Sequence, residues 1–437
     1  MDRDSSPRVV ITGVGVISPL GNEVQGLLEG LRAGASGIRP LSRLPHAVMS
    51  IDHGAEAIDF TGDITDYGPM EKKLQRTIRK GSKVMCREIE MGVAVAQLAM
   101  HSAGLSDPSS RDPDRTGVVY GCDYIMSMPE EFAGGIAKCL DDEGDFVFED
   151  WGQQGKPEVN PLWLLKYLPN MPASHIAIYN DLRGPNNSIT VREASPGAAI
   201  SEAFSTIQRG HADVLIVGST GSRIHPLRTL HASMQEKLAR NCDDPATMSR
   251  PFDESRDGSV VGEGAGALIF ETKEHAEQRG ATILGEVFGA ATSAVGTRHH
   301  PDEFLHRALA NVMRAALGDA DKRSIGHIHA HGLSHPEADQ QEADAIVEVF
   351  GREDQPPVTT AKGHFGNLGA GGGMVEIIAS LASLGGELFP IRNLDKLDPA
   401  CGINACTEAT ESGTQFISAN VTPQGQASAV RMGTCEV

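Results

Sequence analysis

The segment Ile189-Thr190-Val191-Arg192-Glu193-Ala194-Ser195-Pro196-Gly197 decides how the rest of the chain is read. A β-branched run meets a tight turn, and an alanine-rich stretch of helical spacing follows at 197–210. Strand, turn and helix in that order place Ser195 at a helix N-terminus, where free N–H groups and the positive end of the dipole stabilise a developing anion. That position suits a nucleophile. It suits an ordinary N-cap equally well, because Ser followed by Pro in the first helical turn requires no catalysis, and on this segment alone the N-cap reading is the stronger.

Working outward, short β-branched runs at 8–12, 116–121, 212–219, 265–271, 325–330 and 415–419 read as strands, and 87–101, 197–210 and 339–349 have helical spacing. This alternation predicts an α/β fold with a mainly parallel sheet covered by helices. The acidic, Gly-bearing stretch 141–154, followed by Pro157 and Pro161, reads as a surface insertion. A junction is expected at 271–280, dividing the chain into 1–272 and 273–437. No repeat is visible in the sequence.

At roughly 150 residues per domain, 437 residues allow about three domains or one large double unit. The 38 Lys+Arg against 58 Asp+Glu give a formal charge of −20, which disfavours nucleic acid and anionic membranes as partners. Apolar residues at 40% and charged residues at 22% exclude a wholly disordered or fibrous chain. Seven scattered Cys form neither a disulfide framework nor a zinc ligand set, so a reducing compartment is expected. The first apolar run, 9–20, is broken by Gly13, Gly15 and Pro19 and does not read as a signal peptide; no run is long enough to cross a membrane. A cytoplasmic location is the expectation.

Several separated motifs resemble the β-ketoacyl synthases over residues 8 to 432. They are Arg8-Val-Val-Ile-Thr-Gly-Val-Gly-Val-Ile-Ser-Pro-Leu-Gly21, Met248-Ser-Arg-Pro-Phe-Asp253, Arg256-Asp-Gly258, Gly262-Glu-Gly-Ala-Gly266, His331-Gly-Leu-Ser-His-Pro336 and Thr360-Ala-Lys362-Gly-His-Phe-Gly366-Asn367. The resemblance implies a thiolase fold, two similar halves stacked as five layers (α-β-α-β-α), with the nucleophile on the 1–272 half and the His and Lys/Asn motifs on the 273–437 half. It implies a homodimer that receives its acyl chain from an acyl carrier protein, on a phosphopantetheine thioester, with no metal and no resident cofactor. It places the family's nucleophilic Cys at Ser195, its two His at His331 and Asn367, a supporting ion pair at Lys362 and Glu376, and structural acids at Asp339 and Glu342. The backbone N–H groups of Ser195 and Val421 would form the oxyanion hole.

Three departures shape the functional expectation. A Ser hydroxyl is a far weaker acid than a thiol, so Ser195 needs a positioned base, for which His331 is the candidate. Asn367 can donate a hydrogen bond to an enolate but cannot carry a proton, which weakens decarboxylation. Ala419 and Val421 replace the gating aromatics, giving a wider and stiffer pocket mouth. Together these imply a ketosynthase-like acyltransferase of specialised metabolism. Its Ser195 oxyester would be released by intramolecular aldol closure and lactonisation, with Asn367 and Lys362 polarising the acceptor carbonyl; in this the chain resembles stand-alone ketosynthases proposed to build fused γ-lactam-β-lactone products. The alternatives are a decarboxylative β-ketoacyl carrier synthase and a non-catalytic chain-length partner. Retention of His331, Lys362 and Glu376 argues against the partner.

Other patterns carry less. Gly13-Val-Gly15 begins like a dinucleotide fingerprint but runs into Pro19, and 366–373 is glycine-rich without a phosphate-loop ending. Glu193-Ala-Ser195-Pro-Gly197 lacks the leading Gly of a hydrolase elbow. His327, His329 and His331 alternate as on one strand face but lack a further ligand set. Lys72, Lys73, Arg76, Arg79, Lys80 and Lys83 form a basic cluster that either receives an acidic carrier or is simply a solvated helix end.

Overall fold

A computed structural model of the chain describes residues 6–44, 51–240, 242–296, 298 and 303–435; the initial Met1 to Asp4 lies outside them. Ten strands form one sheet: β1 (Val9–Ile17), β2 (Thr116–Cys122), β3 (Asn186–Thr190), β4 (Val214–Ser222), β5 (Glu263–Thr272), β6 (Gly285–Ala294), β7 (His327–His329), β8 (Val358–Thr359), β9 (Gln415–Val421) and β10 (Gln426–Gly433). Their order is β8-β7-β9-β10-β6-β1-β5-β4-β2-β3. From either edge the pairings read parallel, parallel, antiparallel, antiparallel, and the two five-stranded halves meet in the antiparallel β1–β6 pair. The sheet is therefore mixed rather than mainly parallel. It is also an internal duplication that the sequence conceals.

The principal helices are α1 (Lys72–Gly81), α2 (Arg87–Ser102), α3 (Met171–Asn180), α4 (Ser195–Gln208), α5 (Pro226–Gln235), α6 (Phe304–Leu317), α7 (Pro336–Phe350) and α8 (Gly372–Ser383). Helices α2 and α3 cover the outer face of the first half, and α6, backed by α7, covers that of the second. Helices α4 and α8 touch strands of both halves and form the middle layer of a five-layered α/β stack. A helix covered on both sides must be apolar nearly all round, and every residue of α8 from Gly372 to Leu381 is buried. Strand β4 is buried along its whole length for the same reason.

The glycine patterns are accounted for by packing. A Cβ at Gly13 or Gly15 would collide with the backbone carbonyls of Ala99 or Val95, so these glycines seat α2 directly on β1. A Cβ at Gly371 would strike the carbonyl of Gly264, so the 366–373 stretch is a turn pressed against β5 that leads into α8 at Gly372. The 141–154 stretch contains a tight turn closed by an isolated bridge between Leu140 and Phe146, then short helical turns, with Phe148 well exposed.

At the end of β5, buried Glu271 accepts hydrogen bonds from Arg279, His275 and the Thr12 hydroxyl. Burial pushes its carboxyl upward, but these donors outweigh it and hold the carboxyl at about 2 against 4.5 when free. A depressed carboxylate stabilises the fold above the unfolded value and loses that contribution as pH falls from about 4.5 towards about 2. The loss is on the order of 3 kcal/mol. Urea unfolding followed across that window should show wild type losing this increment and Glu271→Gln not losing it.

Candidate active site

Strand β3 ends in a sharp turn before α4. Arg192 adopts a left-handed φ of 51°, which directs the next side chain, Glu193, inward. Ser195 is already helical, with φ −58° and ψ −40°. Its hydroxyl donates to the Cys122 carbonyl at 2.7 Å and accepts from the Val191 N–H at 2.9 Å. Its own backbone N–H goes to the Arg192 carbonyl. The side chain is fully buried and makes no hydrogen bond to His331 among the described residues. Ser195 thus ties β2 to the turn; removing its hydroxyl would orphan two backbone groups, at about 1–3 kcal/mol.

The residue facing the motif residues is Glu193. Its Oε1 accepts from Asn367 Nδ2 at 3.1 Å and from Arg223 Nη1 at 3.1 Å, and its Oε2 lies 3.5 Å from Arg192 Nε. Both arginines also hold Glu236, at 2.5 and 2.7 Å. Two guanidiniums and two carboxylates therefore close a ring of zero net charge, with Glu193 and Arg223 buried and Arg192 and Glu236 half-buried. Burial pushes the Glu193 carboxyl up, but Arg192 and Arg223 overcome this and keep it well below the usual carboxylate range. Asn367 is fixed from its other end by Gly369 N–H to its Oδ1. The expectation that Ser195 stands opposite His331 and Asn367 is corrected: the side chain there is a clamped carboxylate.

His331 follows β7 and lines a cavity of about 530 Å³ with Glu236, Phe304, Leu305, Leu333 and Val421. Glu342 on α7 accepts the backbone N–H groups of His331 and Gly332, at 2.6 and 2.7 Å. Asp339 accepts those of Leu333 and Phe252, so both acids hold the His331 loop. Burial raises the Glu342 carboxyl to about 8 against those backbone donors. Burial, followed by the charge of Lys362, pushes His331 down to about 3 and keeps its imidazole neutral. Lys362 and Glu376 form a fully buried ion pair. Asn420 on β9 joins the two groups: its Nδ2 lies 3.1 Å from His331 Nδ1 and 3.1 Å from Glu376 Oε2.

The other candidates separate. His364 turns away to the Ala35 carbonyl. His327 bonds the Ser412 carbonyl and His329 the Ser380 hydroxyl; among the described residues no group of three His, Cys, Asp or Glu is placed to hold a metal. Ala419 is buried in the core of the second half, while Val421, Thr422 and Pro423 line the cavity. The Ser195 N–H assigned to the oxyanion hole is already taken by Arg192. No helix among the described residues is long and apolar enough to cross a membrane. Sequence reasoning missed Glu193, Arg223 and Asn420. Glu193 lay two residues from Ser195, passed over because a carboxylate is not the expected nucleophile.

The described geometry has many counterparts. Residues 6–276 match the β-ketoacyl synthase N-terminal domain and residues 284–394 its C-terminal domain. A 3-oxoacyl-[acyl-carrier-protein] synthase 2 of Synechocystis sp. is 32% identical over 404 residues, covering 91% of this chain and 90% of its own. Among solved structures, a β-ketoacyl synthase from Burkholderia phymatum superposes with a TM-score of 0.84 at 25% identity, covering 98% of this chain and 100% of that one. The ishigamide ketosynthase/chain length factor superposes with a TM-score of 0.80 at 25% identity, covering 99% and 100%.

Proposed function

This chain belongs to the β-ketoacyl synthase family, and we propose that within it the protein is a non-acylating member. It takes a carrier-borne acyl group into the His331 cavity without forming an acyl-enzyme, and it serves as the partner that bounds the chain for an acylating ketosynthase. The observation carrying this reading is the Glu193 carboxylate, locked between Arg223 and Asn367 where an acyl acceptor would have to stand. An ionised carboxylate held by two guanidiniums is a poor nucleophile, and its negative charge opposes an enolate developing beside it. Decarboxylative condensation is disfavoured on the second ground.

The serine acyl-enzyme and its aldol-lactone release would require Ser195 to give up both backbone bonds and reach His331. Retention of His331, Lys362 and Glu376 is no argument for catalysis once they are seen as one buried hydrogen-bonded unit with Asn420. Helix α1 exposes Lys72, Lys73, Arg76, Arg79 and Lys80 on a chain of charge −20, a face suited to an acidic carrier. The partner role replaces the expected homodimer with a pairing of unlike subunits.

The test is intact mass of wild type and Ser195→Ala after incubation with acyl and malonyl carrier thioesters, with carbon dioxide release measured in parallel. Neither protein should gain an acyl adduct or release carbon dioxide. An adduct mapped to Ser195 would restore the serine enzyme, and carbon dioxide release would establish the decarboxylative one.

A further inference from the structure

The orientation of the Asn420 amide follows from its two contacts. Its Nδ2 lies 3.1 Å from Glu376 Oε2, and Glu376 is engaged by Lys362 through its other oxygen. A carboxylate oxygen paired with a lysine only accepts, so an amide oxygen in that place would meet it lone pair to lone pair. The amide nitrogen must therefore face Glu376, and the same NH₂ then presents its second hydrogen to His331 Nδ1 at 3.1 Å. A ring nitrogen receiving a donor carries no proton of its own. We infer that Asn420 is a positioning residue that fixes His331 as the Nε2–H tautomer, with the basic nitrogen turned into the protein and a hydrogen-bond donor left for the cavity.

This assignment rests on contacts alone and holds whether or not the protein is acylated. It reverses the role the sequence suggests for His331. A histidine whose free lone pair is already engaged by Asn420 cannot take a proton from a hydroxyl or thiol on its cavity side. What it meets there is an acceptor, such as a carbonyl oxygen. Asn420 acts at a distance from any ligand: among the described residues it belongs to the buried Lys362–Glu376–His331 unit and does not line the cavity.

The experiment is nitrogen NMR of protein labelled with ¹⁵N-histidine, the His331 resonances being assigned by their loss in His331→Gln. Wild type should show a protonated Nε2 and an unprotonated, hydrogen-bonded Nδ1, unchanged between pH 5 and 8. Asn420→Asp, whose carboxylate accepts, should move the proton to Nδ1. Asn420→Ala, should the aspartate variant not fold, should shift Nδ1 to the position of an unprotonated nitrogen without a donor. A wild-type Nδ1–H tautomer, or folded variants with His331 resonances unchanged, would overturn the assignment.

Discussion

Glu193→Cys should convert a protein that takes no acyl group into one acylated to stoichiometry at position 193. In wild type the carboxylate supplies one of the two negative charges in a ring with Arg192, Arg223 and Glu236. Substitution by a neutral thiol leaves buried Arg223 and half-buried Arg192 sharing Glu236, and only the thiolate restores the balance. The thiol is therefore driven towards ionisation, the state that attacks thioesters, and it stands in the turn two residues before α4, on the side of the positive end of the helix dipole. The comparison is intact mass with an acyl-carrier thioester: background labelling for wild type and Ser195→Ala, and one acyl group per chain for the cysteine variant. Glu193→Gln, which keeps the shape and the Asn367 contact, serves as the folded control and should remain unlabelled. A folded cysteine variant that stays unlabelled, or wild type labelled at Ser195, would sink the assignment of position 193 as the acyl-accepting place.

How much of this was legible in the sequence depends on whether a residue's partners are local. Strand β4 and helix α2 were legible because burial on both faces, or along one broad face, leaves an apolar run or a helical period. Strands β6 and β10 were not: Ala, Ser and Gly dominate both, since each packs between close neighbours in the sheet. Helix α8 escaped for a related reason, being apolar on every side and opening on Gly372 and Gly373, so that no period of 3.6 stands out. The duplication is invisible because only strand directions repeat, not residues. At the site, Lys362, Glu376, Asp339, Glu342 and Asn367 were named by motif spacing, but the choice between Ser195 and Glu193 depends on a single left-handed residue, Arg192. A turn that places a non-glycine residue at positive φ gives no reliable signal in sequence, yet it decides which side chain faces inward. Arg223 acquires its meaning from Glu193, 30 residues away, and Asn420 from Glu376 and His331, 44 and 89 residues away.

Lys362→Met should be among the most destabilising single substitutions in the second half of the chain. Lys362 is 2% exposed and Glu376 is fully buried, so removing the ammonium leaves a carboxylate in the middle layer with Asn420 as its remaining side-chain donor. An uncompensated buried charge of this kind costs about 3–5 kcal/mol. The double variant Lys362→Met with Glu376→Leu removes both charges and should regain most of the stability, because apolar residues of similar volume often replace a buried pair at little net cost. Urea unfolding of wild type, both single variants and the double variant provides the cycle. A large positive coupling between the two sites is expected, and additive losses would show that the pair is held by packing instead of by charge. The double variant also frees the Asn420 amide, since nothing then forbids its oxygen from turning to His331. It should therefore recover stability while releasing the His331 tautomer, separating the structural use of the ion pair from its use in setting what His331 offers to the cavity.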